Sequence, residues 1–260
     1  MAEFTTHTPG TFTWPELATT DQKGAVTFYR SLFGWDVNET PLGPGETYSM
    51  FQLKGKEVGA ACTLQAQEKQ AGVPPHWNSY VTVKNVDESA KKAQSLGGKV
   101  LAPPFDVMDA GRMAVLQDPT GAVFEIWEAK RSIGARILNE PGALCWTELT
   151  TSDTKAAETF YTQLFGWVPK HSAPGSLMEY TEFSVGGTPS VGMMAKPAGM
   201  PAHIPSYWMP YFQVTNVDQS ASKGKELSGK VMIGPQDIPG TGRFAILVDP
   251  QGAMFAVFNR

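Results

Sequence analysis

The chain has 260 residues, 42% of them hydrophobic and 18% charged, with a formal net charge of −4, the balance of an ordinary globular protein. It holds no Lys/Arg run or basic stripe, which excludes an electrostatic nucleic-acid footprint. No stretch approaches the ~18 apolar residues of a spanning helix, and the opening MAEFTTHTPG lacks the basic and apolar regions of a signal peptide, so the expectation is a cytoplasmic protein without membrane or nucleic-acid partners.

A short strand is predicted over Thr13–Thr19, followed by Asp21, whose carboxylate can accept from the free N–H groups of a first helical turn. Ala25, Phe28, Tyr29 and Leu32 fall at i, i+3, i+4 and i+7 and make one apolar helical face. Gly34 is placed as the left-handed residue that ends this helix. Thr47–Leu53 and Val58–Leu64 read as strands across the turn Lys54-Gly55-Lys56-Glu57. A Pro/Gly-rich loop near Ala71–Pro75 leads to a strand over Asn78–Val83, then to a second helix from an Asp87 cap to Gly97-Gly98. Arg112–Gln117 and Ala122–Trp127 are the last strands. Asp118-Pro119-Thr120-Gly121 joins them, with Asp at i, Pro at i+1 and Gly at i+3 of a type I turn.

The series then repeats. Trp14–Trp35 (WPELATTDQKGAVTFYRSLFGW) returns as Trp146–Trp167 (WTELTTSDTKAAETFYTQLFGW) at an offset of 132. DPTGAVFEIW from Asp118 returns as DPQGAMFAVF from Asp249 at an offset of 131. A near-constant offset means two copies of one folding unit, residues 11–128 and 143–260, joined by a linker over 129–142. The second copy has the strand Cys145–Thr151, the Asp153 cap, the face Ala157, Phe160, Tyr161 and Leu164, and the terminating Gly166. MEYTEFSV from Met178 and PSVGMMA from Pro189 flank Gly186-Gly187; a loop over Pro197–Pro205, a strand over Met209–Val214, a helix from Asp218 to Gly229 and the turn Asp249–Gly252 follow. The residue pattern alone gives βαββ twice per copy: an α+β fold, helices over one sheet face, with a pseudo-twofold axis between the copies.

At these residues the chain resembles the vicinal oxygen chelate superfamily, which includes glyoxalase I, extradiol dioxygenases, and bleomycin and fosfomycin resistance proteins. The resemblance rests on the strand-Asp-helix-FY–LFGW opening, the second-helix starts Asn85-Val86-Asp87 and Asn216-Val217-Asp218, and the GR–DP–G ending. It covers nearly the whole chain, twice, as in two-module actinobacterial glyoxalase-like proteins. It implies tandem βαβββ modules forming curved sheets with helices on the outer face, and a ligand on the concave face. One chain supplies both modules that other members bring together by dimerising, so a monomer or a homodimer is implied.

The resemblance also implies a divalent metal, held by a His, Gln or Glu on the first strand, often a His before the second helix, and a Glu on the last strand. Such a site needs three or four N/O donors on convergent strands. Those positions carry Trp14, Asn78 and Glu125 in the first copy and Trp146, Met209 and Ala256 in the second. Only Glu125 fits, so no metal ligand set and no cofactor are expected.

Strand alternation puts Glu16 on the face of Trp14, and Glu148 on the face of Trp146. Three readings of this repeated carboxylate stay open: a solvated or backbone-paired acid, a polar anchor for a ligand, or a metal ligand or general base acting with Glu125. The same alternation turns Asn78, Tyr80, Glu125 and Trp127 inward in one copy, and Met209, Tyr211, Ala256 and Phe258 in the other. With Trp14 and Trp146 these line two clefts with aromatic rings and a few polar tips, as small-molecule pockets are lined, or else fill the interior as core. Trp77 and Trp208 point the other way or sit at the rim, and Trp35 and Trp167 read as structural. Arg112 and Arg243 repeat as Gly-Arg and suit a carboxylate or backbone partner. His7, His76, His171 and His203 have no partner at ligand spacing, and Cys62 and Cys145 read as buried thiols.

Two functions follow. One is a binding protein that holds a small aromatic or amphipathic molecule in aromatic clefts, with Glu16 and Glu148 as anchors. The other is a metal-dependent glyoxalase- or dioxygenase-type enzyme for a substrate with vicinal oxygens, with Glu16 and Glu125 as the catalytic pair and Glu125, together with Glu16, Glu148 or His76, supplying the metal or proton chemistry. A degenerate module kept as a partner-interaction surface is a third, plainer option. Asn78 and Glu125 make the first cleft the more polar one.

Overall fold

The computed structural model describes residues 3–43, 46–173, 179–201 and 203–260; of the expected elements, Met178 and Ala202 lie outside them. The first copy runs β1 (Phe12–Thr19), α1 (Gln22–Phe33), β2 (Asp36–Gly43), β3 (Glu46–Leu53), β4 (Lys56–Thr63), α2 (Ala66–Gln70), β5 (His76–Thr82), α3 (Val86–Ser95), β6 (Lys99–Val107), β7 (Gly111–Gln117) and β8 (Val123–Ala129). The second runs β9 (Leu144–Thr151), α4 (Thr154–Phe165), β10 (Val168–His171), β11 (Tyr180–Val185), β12 (Thr188–Ala195), β13 (Tyr207–Gln213), α5 (Val217–Glu226), β14 (Lys230–Ile238), β15 (Gly242–Val248) and β16 (Met254–Asn259).

Each copy builds one curved eight-stranded sheet, ordered β2-β3-β4-β1-β5-β8-β7-β6 and β10-β11-β12-β9-β13-β16-β15-β14. The central pair, β1 with β5, is antiparallel, and each member pairs parallel with the last strand of its own half, β4 or β8. Each half-sheet is therefore βαβββ, one strand more than the residue pattern gives. The additional strands β2, β6, β10 and β14 are edges with little burial, so no apolar alternation marks them.

The opening helices form as expected. Asp21 accepts from the Gly24 N–H and Asp153 from the Ala156 N–H, and Gly34 and Gly166 close the helices at φ 73°. The second helices differ in detail. Their caps are Asn85 and Asn216, whose side chains accept from the Glu88 and Gln219 N–H groups at 2.8 and 2.9 Å. Asp87 and Asp218 stand in the first turn, where Arg112 and Arg243 engage them through Nε at 2.7 and 2.8 Å. A fork-shaped guanidinium matches a carboxylate better than a lone amide does, which frees the amide oxygens to cap.

The helix-bearing faces of the two sheets pack on each other, and the copies exchange core. Phe28, Tyr29, Leu32 and Trp35 of the first copy share one cluster with Phe212, Val217, Leu247 and Phe255 of the second. The mirror cluster joins Val81, Leu116, Phe124 and Ile126 to Phe160, Tyr161, Leu164 and Trp167. Buried hydrogen bonds cross the junction symmetrically. The Tyr29 hydroxyl donates to Asp249 at 3.0 Å and accepts from Trp77 Nε1 at 3.1 Å. The Tyr161 hydroxyl does the same with Asp118 at 2.9 Å and Trp208 at 3.0 Å. Trp77 and Trp208 thus point away from the clefts. Trp35 and Trp167 each donate Nε1 to the carbonyl of a glycine just ahead of the other copy's first strand, Gly142 at 2.7 Å and Gly10 at 2.8 Å, the latter across the copies in reverse.

Candidate functional site

With the helical faces buried together, the opposite, concave face of each sheet carries the residues singled out from sequence. A bulge between Phe12 and Trp14 sends Phe12 into the shared core and leaves Trp14 on the concave side. Three central strands then set the residues side by side: Trp14 opposite Tyr80, Glu16 opposite Asn78, Tyr80 opposite Glu125 and Thr82 opposite Trp127. In the second copy Trp146 lies opposite Tyr211, Glu148 opposite Met209, Tyr211 opposite Ala256 and Gln213 opposite Phe258. The expected site residues therefore fall into two groups, one per concave face. Trp14, Glu16, Asn78, Tyr80, Glu125 and Trp127 form the first, and Trp146, Glu148, Met209, Tyr211 and Phe258 the second.

At the centre of each group a carboxylate is held by two phenols. Glu16 accepts from Tyr48 at 2.6 Å and from Tyr80 at 2.9 Å, with Asn78 Nδ2 at 3.4 Å. Glu148 accepts from Tyr180 at 2.7 Å and Tyr211 at 2.8 Å. The indoles complete the chain: Trp14 Nε1 donates to Tyr48 at 3.2 Å and Trp146 Nε1 to Tyr180 at 3.0 Å. Tyr48 and Tyr180 were not among the residues singled out from sequence, although their separation of 132 is the repeat offset itself. In the second copy Gly192 makes the room, since a Cβ there would collide with the Tyr180 hydroxyl and the Trp146 ring.

Burial governs the electrostatics. Tyr48, Tyr80 and Tyr211 are pushed well above the usual phenol range by burial and then by the neighbouring carboxylate, so they act as donors. Burial raises Glu148, and its two phenol bonds pull it back. Glu125 lies well above the carboxylate range, first through burial and then through the charge of Glu16, although one oxygen accepts from the Ser79 N–H at 3.0 Å. The first face holds two carboxyl groups, Glu16 and Glu125, while the second has Ala256 where Glu125 stands. Burial also raises the thiols, Cys62 with help from Glu16 and Cys145 to about 12, which keeps both protonated.

The donor set does not suit a first-row divalent ion. Among the described residues no three His, Cys, Asp or Glu side chains converge. Both Glu16 oxygens take phenol protons, and Trp14 occupies the first-strand position. His76 turns to the Pro74 carbonyl at 2.9 Å, His171 faces Glu158 at 3.5 Å, and His7 meets the Ala135 carbonyl at 2.7 Å. None of the three bonds to Glu16, Glu125 or Glu148.

The two faces open at different ends. In the first, Trp14 and Trp127 are 8% and 9% exposed while Glu16 and Asn78 are half-buried. In the second, Glu148 and Met209 are 7% and 2% exposed while Trp146 and Phe258 are half-buried. A strap from the linker, residues 130–138, seals the Trp14–Trp127 end. Its Lys130 and Ser132 N–H groups donate to the Ala110 carbonyl at 3.1 and 3.0 Å, Ala135 N–H to Thr13 at 2.8 Å, and Arg136 N–H to Glu57 at 2.8 Å. Trp127 Nε1 donates to the Ser132 carbonyl at 2.9 Å. Surface hollows of about 470 and 550 Å³ lie off the concave faces, one between α1 and the β15–β16 turn and one at the β14–β15 hairpin.

Both copies match the family described as Glyoxalase/Bleomycin resistance protein/Dioxygenase superfamily, over residues 11–126 and 143–257. The chain is 41% identical to "Putative glyoxylase CFP32" of Mycobacterium bovis over 251 residues, covering 96% of this chain and 95% of the relative. It is 32% identical to "Anthracycline biosynthesis protein DnrV" of Streptomyces peucetius over 259 residues, covering 96% and 93%. Its fold resembles the Mn(II)-bound glyoxalase of Novosphingobium aromaticivorans, with TM-score 0.67 at 15% identity over 96% of this chain and 82% of the other. It also resembles the 2,3-dioxygenase LapB of Pseudomonas sp. KL28, with TM-score 0.64 at 15% identity over 96% and 92%. No helix of the described residues is long and apolar enough to cross a membrane. The doubled unit, its curved sheets and these matches agree: the chain belongs to the glyoxalase/bleomycin resistance protein/dioxygenase superfamily.

Proposed function

We propose that this chain binds a small aromatic or amphipathic molecule on its aromatic-lined concave faces, without the standard metal site of the superfamily. The observation that carries this reading is the constellation repeated in both copies. A carboxylate bonded by two phenols and backed by an indole lies two residues along the first strand from the position where the resemblance implies a metal donor. Aromatic walls with few polar tips suit a planar, largely apolar ligand. Glu16 is the better anchor, because it and its neighbour Asn78 are half-buried, whereas Glu148 and its neighbour Met209 are both buried. The relative's part in anthracycline biosynthesis accords with a ligand built of fused aromatic rings.

A second reading has one observation in its favour. Glu125 is buried near Glu16, and burial followed by the Glu16 charge pushes its carboxyl well above the ordinary range, the direction that suits a general acid. In that reading Glu16 takes a proton from a substrate carbon or hydroxyl, and Glu125 donates one to an adjacent oxygen.

One experiment tests the metal-free proposal against a metal-dependent enzyme: metal content by plasma mass spectrometry on untagged protein reloaded with nickel, cobalt, zinc or iron, followed by tryptophan quenching with 1-naphthol. Binding of naphthol at substoichiometric metal is the expected result. About one tightly held metal per chain would overturn the metal-free proposal and direct assays to oxoaldehyde isomerisation and ring cleavage.

A further inference from the structure

The strap of the first copy docks on a seat that the second copy repeats. Ala110, which takes two strap N–H groups, corresponds to Thr241, and Asp109, which takes the Arg131 N–H at 3.3 Å, corresponds to Gly240. No described residue donates to the carbonyls of Gly240 or Thr241. The hollow of about 550 Å³ opens at this hairpin, lined by Asp237–Arg243 with Asn259 and Arg260. Phe258 stands at the position of Trp127, which the strap covers in the first copy, and is half-buried, as is Trp146 on the same face.

Charge is repeated too. Lys130 at the head of the strap pairs with Asp106 at 3.0 Å, and the equivalent acid is Asp237, whose side chain is 75% exposed. Arg243 already engages Asp237 at 2.9 Å and Asp218 at 2.8 Å, as Arg112 engages Asp106 at 3.3 Å beside Lys130, so the basic head would join an existing pair. Farther along the strap only a residue without Cβ passes the first strand. Gly134, at φ 94°, would place a Cβ 3.0 Å from the Thr13 carbonyl oxygen.

We infer that the β14–β15 hairpin and the adjoining open end of the second sheet form a docking seat for an extended peptide of strap-like chemistry. Such a peptide carries a basic residue at its head, alternate backbone N–H groups free to donate, and a glycine four residues on. Backbone donors satisfy the exposed turn carbonyls, as in other modes where an extended segment adds to a sheet margin. The basic head meets Asp237. Once seated, the peptide shuts the Trp146–Phe258 end of the second cleft as the strap shuts the first, so docking and ligand entry at that end exclude each other.

The test adds an acetylated peptide with the sequence of residues 130–138 (KRSIGARIL) to the full-length protein. Isothermal calorimetry and the fluorescence difference between the protein and its Trp146→Phe variant are read. Saturable one-to-one binding with a dissociation constant below about 1 mM is expected, with a blue shift that the Trp146→Phe variant lacks. N-methylation of the amides at the Lys130 and Ser132 positions should weaken binding at least about tenfold, since each lost hydrogen bond is worth roughly 1 kcal/mol. Asp237→Lys should weaken it about threefold, the scale of an exposed ion pair. Absence of binding, equal binding by a scrambled peptide, or indifference to N-methylation would overturn the inference. So would 1-naphthol perturbing Trp146 where the peptide does not, which would make the open end a ligand mouth only.

Discussion

The two concave faces hold the same carboxylate–phenol–indole core, yet they are open and closed at opposite ends. The first buries its tryptophans under a strap and leaves Glu16 and Asn78 half-exposed; the second buries Glu148 and Met209 side by side and leaves Trp146 and Phe258 half-exposed. What the copies share holds the sheet together, because the phenols bring β3 and β5, or β11 and β13, onto one carboxylate of the first strand. What they do not share decides access and polarity. Asn78, Glu125 and the strap therefore set the first face apart from the second, while the Glu–phenol–indole core is common to both.

The comparison is broken most severely at Gly192. Tyr180 and Trp146 lie over it where the first copy has Ala60 in the same register with the carboxylate strand. Gly192→Val should cost about 3 kcal/mol, the upper part of the range for overpacking a filled site, and urea unfolding measures it. Ala60→Val, in the roomier first face, should cost less; equal costs would mean that the two networks are packed alike.

The carboxyls separate next. Glu148→Gln leaves one phenol facing an amide donor and should destabilise by about 2 kcal/mol at pH 7, as expected for an unpaired buried group. Glu125→Gln should do the opposite. The folded state raises Glu125 above its ordinary 4.5. Below that pH both folded and unfolded chains hold the proton; as pH rises, only the unfolded chain releases it, so stability falls until the folded group ionises. The Gln variant lacks this decline, and its thermal midpoint should exceed that of the parent at pH 7 and converge with it near pH 4. Parallel midpoint curves across that range would remove Glu125 from the role of buried acid.

Much of this fold was legible because the chain repeats itself. The offset exposed both copies, and the 3.6-residue period of Ala25, Phe28, Tyr29 and Leu32 fixed the first helix. The edge strands β2, β6, β10 and β14 were not legible, since strands with both faces near water carry no alternation. Alternation brought Trp14, Glu16, Asn78, Tyr80, Glu125 and Trp127 to one face, although it carried no information on hydrogen-bond closure. Tyr48 and Tyr180 went unnoticed because a strand tyrosine looks like any β-former; only the repeat offset marks them. The strap was opaque for a different reason. Its hold depends on backbone N–H groups and Gly134, and backbone bonding leaves almost no side-chain signature.

Ligand affinity sharpens the contrast at a smaller scale. If the half-exposed end of the first face admits the ligand, Glu16→Ala or Glu125→Ala should change the affinity for 1-naphthol about tenfold, the worth of one charge-assisted hydrogen bond. Met209→Ala should change it less than threefold. Calorimetric titration that finds equal effects would assign the site to neither face in preference.

The smallest effect tests the strap itself. Trp127→Phe gives the first copy the ring type the second has at Phe258 and removes the indole bond to the Ser132 carbonyl. About 1 kcal/mol of local stability should be lost, with little change in global unfolding because the ring remains in place. The strap amides report this directly: exchange at Ser132 and Ala135 should accelerate about fivefold, the factor that 1 kcal/mol sets for local opening. Amides of β1 and β5 should keep their protection. If the strap opens only with the whole sheet, both sets will accelerate together, and the sealed end of the first face is then part of its core rather than a cover laid over it.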